Sequence, residues 1–280
     1  MSGPNLHFPR RLVRLWRLVW RGPALFVLTL AAWLPLFVLK PFLAHRRYPT
    51  WRKVRSGIKR RWGRACLAVL GCRVTVRGAA PAPPCLLVSN HISYVDILVL
   101  AAHSPARFVS KAEVGDWPLA GTICRTVDIL FVDRGRRRDV TRVGEQIAEA
   151  LEAGDPVILF PEGTSTPGDA VATLKPSLLA PAAVRELPVH WALLRYETPE
   201  DEDPAFLSVA WWGDMPMTPH APELLKLRRI DAELEFGTEP FRHADRKQLA
   251  GLLRQRMAKS FRPMVSSEEA AASTGDRRFP

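Results

Sequence analysis

The alternation of short apolar segments with amphipathic ones after Gly71 constrains the fold more than any other feature of the sequence. Apolar runs bounded by turn residues predict strands at residues 72–77, 85–89, 106–110, 128–132, 156–160, 188–195, 206–211 and 230–236. Apolar residues recur every three or four positions over 138–153 and 244–261, which predicts amphipathic helices there. Strands that alternate with helices form a sheet covered by helices. We therefore predict an α/β domain with a mixed central sheet flanked by helices.

The first third of the chain differs from the rest in charge. Residues 1–95 contain 17 Lys or Arg and no acid, whereas all 28 Asp and Glu lie from Asp96 onward. The formal net charge of +12 at pH 7 is therefore a property of the N-terminal part. Such a basic surface favours a polyanionic partner. Charge alone leaves open whether this partner is a membrane surface, nucleic acid or an acidic carrier protein.

The N-terminal sequence has the composition of a membrane anchor. RRLVRLWRLVWR, residues 10–21, puts Arg on one helical stripe and Trp, Leu and Val elsewhere, as in helices that lie in the membrane interface. We expect Gly22-Pro23 to end this helix. The next 16 residues, 24–39, carry no charge, but a span needs about 20 and both flanks are basic. A monotopic or re-entrant anchor is thus favoured, with a hydrophobic helix packed on the soluble core as the alternative.

These patterns divide the chain into three regions. Residues 1–70 are predicted to form basic amphipathic and hydrophobic membrane-anchoring helices, of which the last, over 51–69, links to the next region. Residues 71–263 hold the alternating strands and helices of the predicted α/β domain. Residues 264–280 lack periodicity, which predicts a disordered tail.

Polar residues interrupt the apolar stretch LLVSNHISYVDILVL, residues 86–100. Asn90, His91, Ser93 and Asp96 fall where a buried strand gives way to a helix, and an orphaned buried polar group costs about 1–3 kcal/mol. His91 and Asp96 can meet if His91 lies in the turn before the helix and Asp96 in its first turns. A carboxylate on one imidazole nitrogen prepares the other to act as a general base. The alternative is that Ser93 or Asn90 caps the helix and His91 is a boundary residue.

Two more polar clusters follow predicted strands, and ligands of open α/β sheets bind at such strand ends. In FPEGTST, residues 160–166, backbone N–H groups and the hydroxyls of Thr164 and Ser165 could cradle a phosphate, with Glu162 orienting a cation such as Arg134. Arg134 follows the strand at 128–132 as a candidate anion ligand. The sequence contains no GxSxG, HExxH or Cys/His metal spacing, so we predict neither a covalent serine or cysteine mechanism nor a metal.

With these residues assembled, the chain resembles the 1-acylglycerol-3-phosphate acyltransferase family, the lysophospholipid acyltransferases, over roughly residues 70–200. NHISYVD at 90–96 resembles the NHxSxxD block with its HxxxxD motif, and FVDR at 131–134, FPEGT at 160–164 and LPV at 187–189 resemble the next three blocks, in the family's order. The resemblance implies that His91 is the catalytic base and Asp96 its partner. It implies substrate-binding roles for Asn90, Ser93, Lys111, Arg134, Glu162, Gly163, Thr164 and Lys175.

The resemblance also implies a reaction. A fatty acyl group would pass from acyl-CoA or acyl-carrier protein to the free hydroxyl of a lyso-lipid acceptor, most simply 1-acylglycerol-3-phosphate, with no cofactor beyond this co-substrate. The anionic membrane surface would be a partner, at the cytoplasmic face of the cell inner membrane. WWGDMPMTPH, residues 211–220, looks closer to the lyso-ornithine lipid acyltransferases, which makes that lipid the alternative acceptor.

Two further alternatives stay open. A CoA-independent transacylase would use the same site without a thioester. A membrane-tethered polyanion-binding protein would use the basic residues 46–64 without catalysis. No nucleic-acid fold signature accompanies that cluster, so we expect no nucleic acid as partner.

Overall fold

The computed structural model describes residues 7–133 and 137–275. Within them, seven strands form one sheet in the order β1-β7-β6-β2-β5-β3-β4. Neighbouring strands are parallel except β6 and β7, which are antiparallel, so the predicted mixed central sheet is confirmed. The strands are β1 Cys72–Arg77, β2 Leu86–Ser89, β3 Arg107–Lys111, β4 Leu130–Val132, β5 Val157–Leu159, β6 Val189–Glu197 and β7 Ile230–Phe236.

Helices cover both faces of the sheet. The α-helices are α1 His7–Leu43, α2 Tyr48–Leu70, α3 Val95–His103, α4 Ala120–Thr126, α5 Arg137–Glu152, α6 Pro176–Val184, α7 Ala205–Ser208, α8 Met217–Lys226, α9 Arg246–Ser260 and α10 Ser267–Gly275, with a 3-10 turn at Ala112–Asp116. Side chains of α2, α3 and α8 pack on one face of the sheet, and those of α5, α6 and α9 pack on the other. Successive side chains of a strand point to opposite faces of the sheet. In β2, Leu87 therefore packs in the core on the first face, and Leu86 and Val88 pack in the core on the second.

Local sequence explains where several helices begin and end. Asp245 caps α9, because its carboxylate accepts hydrogen bonds from the backbone N–H groups of Lys247 and Gln248 at 2.7 and 2.9 Å. Gly71 ends α2 in the left-handed region, at φ +69°, where a side chain would be strained. The turn after Gly71 leads directly into β1, so the helix that links the N-terminal region to the sheet stops where the sequence predicts.

The first helix runs without a break through Gly22-Pro23 and Pro35, so the predicted helix end at Gly22 is wrong. Tertiary contacts on both sides of Gly22 favour the continuous helix. The Arg21 guanidinium donates to the carbonyl oxygens of Leu225 and Leu227 at 3.0 and 2.6 Å. Six residues beyond Pro23, the Trp62 indole donates to Thr29 at 3.1 Å. These contacts offset the cost of about 3 kcal/mol that an internal proline imposes.

The outer face of α1 is apolar and exposed. Residues 11–43 of this helix are long and apolar enough to cross a membrane on length and composition alone. The inner face packs on α2 and α8. The exposed large side chains are Leu12, Val13, Leu15, Trp16, Val19, Trp20, Phe26, Val27, Leu34, Phe37, Val38 and Phe42. An apolar surface of this extent indicates an interaction site rather than a solvent-facing helix.

Two predictions near the C-terminus are wrong. Residues 206–211 are not a strand; the four-residue helix α7 lies there, and its neighbours Val209 and Ala210 are fully buried. Because this run is buried on every side, its periodicity could not distinguish a strand from a helix. The predicted disordered tail contains helix α10, in which Ala270 packs with Val265 against Phe206. Residues 276–280 lie outside the described residues.

Candidate active site

The turn between β2 and α3 is built around the carboxylate of Asp96. This side chain is fully buried, and its Oδ2 lies 2.7 Å from the Nδ1 of His91. The same oxygen accepts hydrogen bonds from the backbone N–H groups of Ile92 and Ser93 at 2.7 and 3.0 Å. The His91 side chain is 21% exposed, and no described residue is hydrogen-bonded to its Nε2. His91 therefore lies in the turn and Asp96 in the first turn of the helix, as their spacing requires.

A fourth donor to Asp96 comes from the sheet. The hydroxyl of Tyr196 on β6 donates to Oδ1 of Asp96 at 2.6 Å, and Tyr196 is 1% exposed. Four donors around one buried carboxylate offset the large cost of burying its charge. Sequence reasoning missed Tyr196. The signal available was that a tyrosine on a fully buried strand needs a partner for its hydroxyl, but the sequence does not say which partner.

The ring of His91 is stacked on Phe160. The two ring centroids are 4.2 Å apart and the planes are inclined by 22°. Phe160 in turn stacks on Phe108 with centroids 6.5 Å apart. Asp96 holds one edge of the imidazole by its contact with Nδ1, and the stacked phenyl ring of Phe160 packs on its face. Together these contacts fix the orientation of the ring. Phe160 is the first residue of the FPEGT block. This block therefore packs directly on the His91 ring.

Glu162 ties the loop after β5 to the turn between β2 and α3 that carries His91. Its carboxylate is 3% exposed and accepts hydrogen bonds from the backbone N–H groups of His91 at 2.8 Å and Ala172 at 2.9 Å. Burial raises the pKa of Glu162 to about 7, against the lowering effect of these two hydrogen bonds. Thr166 completes the connection by donating its backbone N–H to the carbonyl of His91 at 2.9 Å. The sequence interpretation had Glu162 orienting Arg134, but Arg134 lies outside the described residues.

Gly163 and Lys175 lie against each other beside this loop. Gly163 has φ +80°, and a Cβ atom there would lie 2.7 Å from the Nζ of Lys175 and 2.8 Å from its Cε. The backbone conformation therefore favours glycine, and a larger residue would also displace the end of the Lys175 side chain. Lys175 is exposed, as is Thr164 in the same turn. An ammonium group and a hydroxyl next to a glycine turn can bind an anionic or polar head group.

Asn90 and Ser93 have their hydrogen bonds supplied by the protein. The amide of Asn90 pairs with the backbone of Leu194 through two hydrogen bonds of 2.9 and 2.8 Å, and Asn90 is 1% exposed. The hydroxyl of Ser93 accepts a hydrogen bond from the backbone N–H of Val95 at 3.3 Å and is buried. Both side chains shape the turn that carries His91. Their predicted contact with substrate stays a prediction.

Lys111 is exposed at the end of β3. Because β2, β3, β4 and β5 are parallel, their carboxyl ends share one edge of the sheet. Lys111 therefore lies on the same edge as His91 and the turn at Gly163. The predicted ligand Arg134 lies outside the described residues.

The segment 211–220 packs against the turn that carries His91. The hydroxyl of Tyr94 hydrogen-bonds the Nδ1 of His220 at 3.0 Å, and the ring centroids of Tyr94 and Trp211 are 6.0 Å apart. The backbone N–H of Trp211 donates to the carbonyl of Ile92 at 2.9 Å, and Ser165 donates to the carbonyl of Trp211. Three stretches that are distant in sequence thus surround His91.

Comparisons with known proteins agree with this architecture. Residues 73–190 match the family model described as Acyltransferase. A lyso-ornithine lipid O-acyltransferase of Rhizobium meliloti (strain 1021) is 31% identical over 80% of this chain and 81% of its own length. The protein of that name from Brucella abortus (strain 2308) is 35% identical over 73% of this chain and 83% of its own length.

Two further relatives carry the other acceptor in their names. A 1-acyl-sn-glycerol-3-phosphate acyltransferase of Neisseria meningitidis serogroup B is 32% identical over 48% of this chain and 53% of its own length. The crystal structure of the 1-acyl-sn-glycerophosphate acyltransferase of Thermotoga maritima superposes with a TM-score of 0.64. It covers 89% of this chain and 97% of that one at 19% identity, which supports the fold.

Proposed function

Because the chain belongs to the acyltransferase family that includes lyso-ornithine lipid and 1-acyl-sn-glycerol-3-phosphate acyltransferases, we propose that His91 and Asp96 carry its reaction. The protein is an O-acyltransferase of lyso-lipids. The observation that supports the roles of the two residues is the contact of 2.7 Å between His91 and the fully buried Asp96. This pair, at the carboxyl edge of a parallel set of strands, suits proton transfer from a hydroxyl.

In the proposed mechanism, Asp96 holds the Nδ1 of His91 so that Nε2 accepts the proton of the acceptor hydroxyl. The hydroxyl oxygen attacks the carbonyl carbon of the acyl thioester, and a C–O bond forms. The tetrahedral intermediate then collapses, the C–S bond breaks, and the leaving thiolate takes the proton from the imidazolium. General-base assistance of this kind contributes about 10²–10⁴-fold to the rate.

The acceptor we propose first is a lyso-ornithine lipid. The Rhizobium and Brucella relatives of that name match 80% and 73% of this chain, whereas the Neisseria relative named for 1-acyl-sn-glycerol-3-phosphate matches 48%. The second candidate is 1-acyl-sn-glycerol-3-phosphate, which the sequence interpretation favours. The exposed ammonium of Lys175 beside the turn at Gly163 supports it, since a cation next to a glycine turn suits a phosphate. Lys111, Thr164 and Arg134 would contribute to the same head-group site.

The apolar helix α1 and the lyso-lipid relatives indicate that the protein associates with membranes. We propose that it does so at the cytoplasmic face of the inner membrane, where basic residues near an anionic surface contribute about 1 kcal/mol each. The proposed acyl donor is acyl-CoA or acyl-carrier protein, with no further cofactor. An acidic carrier protein would meet the same basic N-terminal region.

Acyl transfer from both donors to both acceptors tests this proposal. Wild type, His91→Ala and His103→Ala would be purified and checked for equal thermal stability. His103 lies at the far end of α3, where its Nδ1 contacts the carbonyl of Val99, so it is the matched control. We expect His91→Ala to lose at least about 10²-fold in kcat/KM and His103→Ala to retain activity. A folded His91→Ala variant with full activity would remove His91 from the mechanism, and the ratio of kcat/KM values ranks the two acceptors.

A further inference from the structure

The hydroxyl of Tyr196 is bound to the carboxylate oxygen of Asp96 that His91 does not use. Tyr196 donates to Oδ1 at 2.6 Å, while His91 lies 2.7 Å from Oδ2. Tyr196 and Asp96 are both fully buried, so solvent does not compete for either oxygen. Tyr196 comes from β6, 100 residues further along the chain. The phenol, the carboxylate and the imidazole therefore form a hydrogen-bonded chain of three groups, with the proposed base at its end.

We propose that Tyr196 is a positioning residue that acts through Asp96 and sets the basicity of His91. This inference rests on the proposed role of His91 and Asp96 and adds a third member to their pair. Tyr196 does not touch the reacting atoms in this arrangement. Its effect reaches His91 only through the charge and the position of the shared carboxylate.

The direction of the effect follows from electrostatics. A hydrogen-bond donor on one carboxylate oxygen stabilises the negative charge and weakens the attraction of the carboxylate for a proton on its other side. With the phenol in place, Asp96 holds the imidazolium form of His91 less strongly, which favours the neutral base. Removing the phenol hydroxyl would strengthen the Asp96–imidazolium pair and favour the protonated ring.

Tyr196 remains a donor over the working pH range. Burial, and then the negative charge of Asp96, raise the pKa of the Tyr196 phenol well above its usual value of 10.0. Cys72 also lies near Tyr196, and burial raises the pKa of its thiol as well. The phenol therefore keeps its proton, and stays a donor to Asp96, from pH 5 to 9.

Glu162 is a second carboxyl group that contacts His91, through the backbone. It accepts the backbone N–H of His91 at 2.8 Å, and burial raises its pKa to about 7. A pH profile of activity alone could therefore report either Glu162 or His91. The test needs a second readout that is specific to the imidazole of His91.

Tyr196→Phe is the test variant, and Tyr48→Phe is its matched control. Tyr48 donates its hydroxyl to the buried Asp155 at 2.5 Å, far from His91, so both variants remove one phenol hydroxyl from one buried carboxylate. Two quantities would be measured from pH 5 to 9. One is kcat/KM with the acceptor that wild type prefers. The other is the rate of carbethoxylation by diethyl pyrocarbonate at the His91-containing peptide, followed by mass spectrometry.

We expect the acidic limb of kcat/KM and the midpoint of His91 modification to move up together by about half to one pH unit in Tyr196→Phe. Both midpoints should match wild type in Tyr48→Phe. If kcat/KM of Tyr196→Phe falls equally at all pH values and the His91 midpoint does not move, the Tyr196 side chain has only a packing role. That result overturns the inference.

Two arms keep the result decisive. If Tyr196→Phe does not fold, a variant with 3,5-difluorotyrosine at position 196 is used instead. This side chain has nearly the same shape and a stronger hydroxyl donor, so the midpoint of His91 modification should move to lower pH. An unchanged midpoint overturns the inference. If wild type acylates no lyso-lipid, the proposed function fails. The modification midpoint of His91 is measured without substrate, so it still decides whether Tyr196 sets the basicity of His91.

Discussion

Glu162 is expected to make the protein less stable as the pH rises from 5 to 8. Burial raises the pKa of this carboxyl group from its usual 4.5 to about 7 in the folded protein. The folded state therefore binds the proton more tightly than the unfolded state. The resulting stabilisation is complete below pH 4.5 and is lost as the pH rises through about 7. The difference between the two pKa values corresponds to about 3 kcal/mol of unfolding free energy.

Glu162→Gln isolates this contribution, because glutamine does not titrate. The amide oxygen of the new side chain can accept one of the two backbone N–H groups, from His91 or from Ala172, while its NH₂ group faces the other. One buried N–H then has no acceptor, which costs about 1–3 kcal/mol. We expect the variant to be less stable than wild type by this amount at pH 5. The difference should shrink toward pH 8, as wild type loses its pH-dependent advantage.

Urea unfolding in a mild detergent at pH 5, 6, 7 and 8, followed by tryptophan fluorescence, measures this difference. The control is Glu149→Gln on the exposed side of α5, which should follow wild type at every pH. Histidines that titrate in this range are common to all three proteins and cancel in the comparison. If the stability of Glu162→Gln falls with pH as steeply as that of wild type, Glu162 does not carry the elevated pKa and the reasoning is refuted.

Three further perturbations have expected outcomes. Arg55→Leu leaves the carboxylates of Asp128 and Asp155 without the buried guanidinium that bridges them. The free energy of unfolding, measured with urea, should fall by about 3–5 kcal/mol. A fall of less than about 1 kcal/mol would contradict the importance of this bridge. Gly163→Ala forces a Cβ into a left-handed residue and against the Lys175 side chain, so acceptor KM should rise with donor KM unchanged; equal changes in both would point to misfolding. Removing residues 264–280 deletes the hydrogen bond of 2.7 Å from the Met264 N–H to the carbonyl of Gly168, in the same loop as Gly163 and Lys175. Acceptor KM should therefore rise in steady-state assays, and an unchanged KM would show that this hydrogen bond does not hold the loop in place.

The sequence by itself determined the features that depend on near neighbours. The strand at 230–236 and the strand at 72–77 have the bounds that their apolar runs predict. His91 and Asp96 were found together because they are five residues apart, and a strand followed by a helix brings such residues into contact across one turn. The family blocks are equally local, so their order in the sequence was enough to suggest acyl transfer.

Tertiary structure alone decided what distant segments contribute. α1 continues through Gly22-Pro23 because Arg21 is bound by carbonyls of the α8 region more than 200 residues away. α10 forms where the tail packs on Phe206. Glu162 faces the backbone of His91 from 71 residues away, and Tyr196 reaches Asp96 from 100 residues away. A buried carboxylate requires several donors, but any chain segment that folds near it can supply them, and local periodicity carries no information about which segment does.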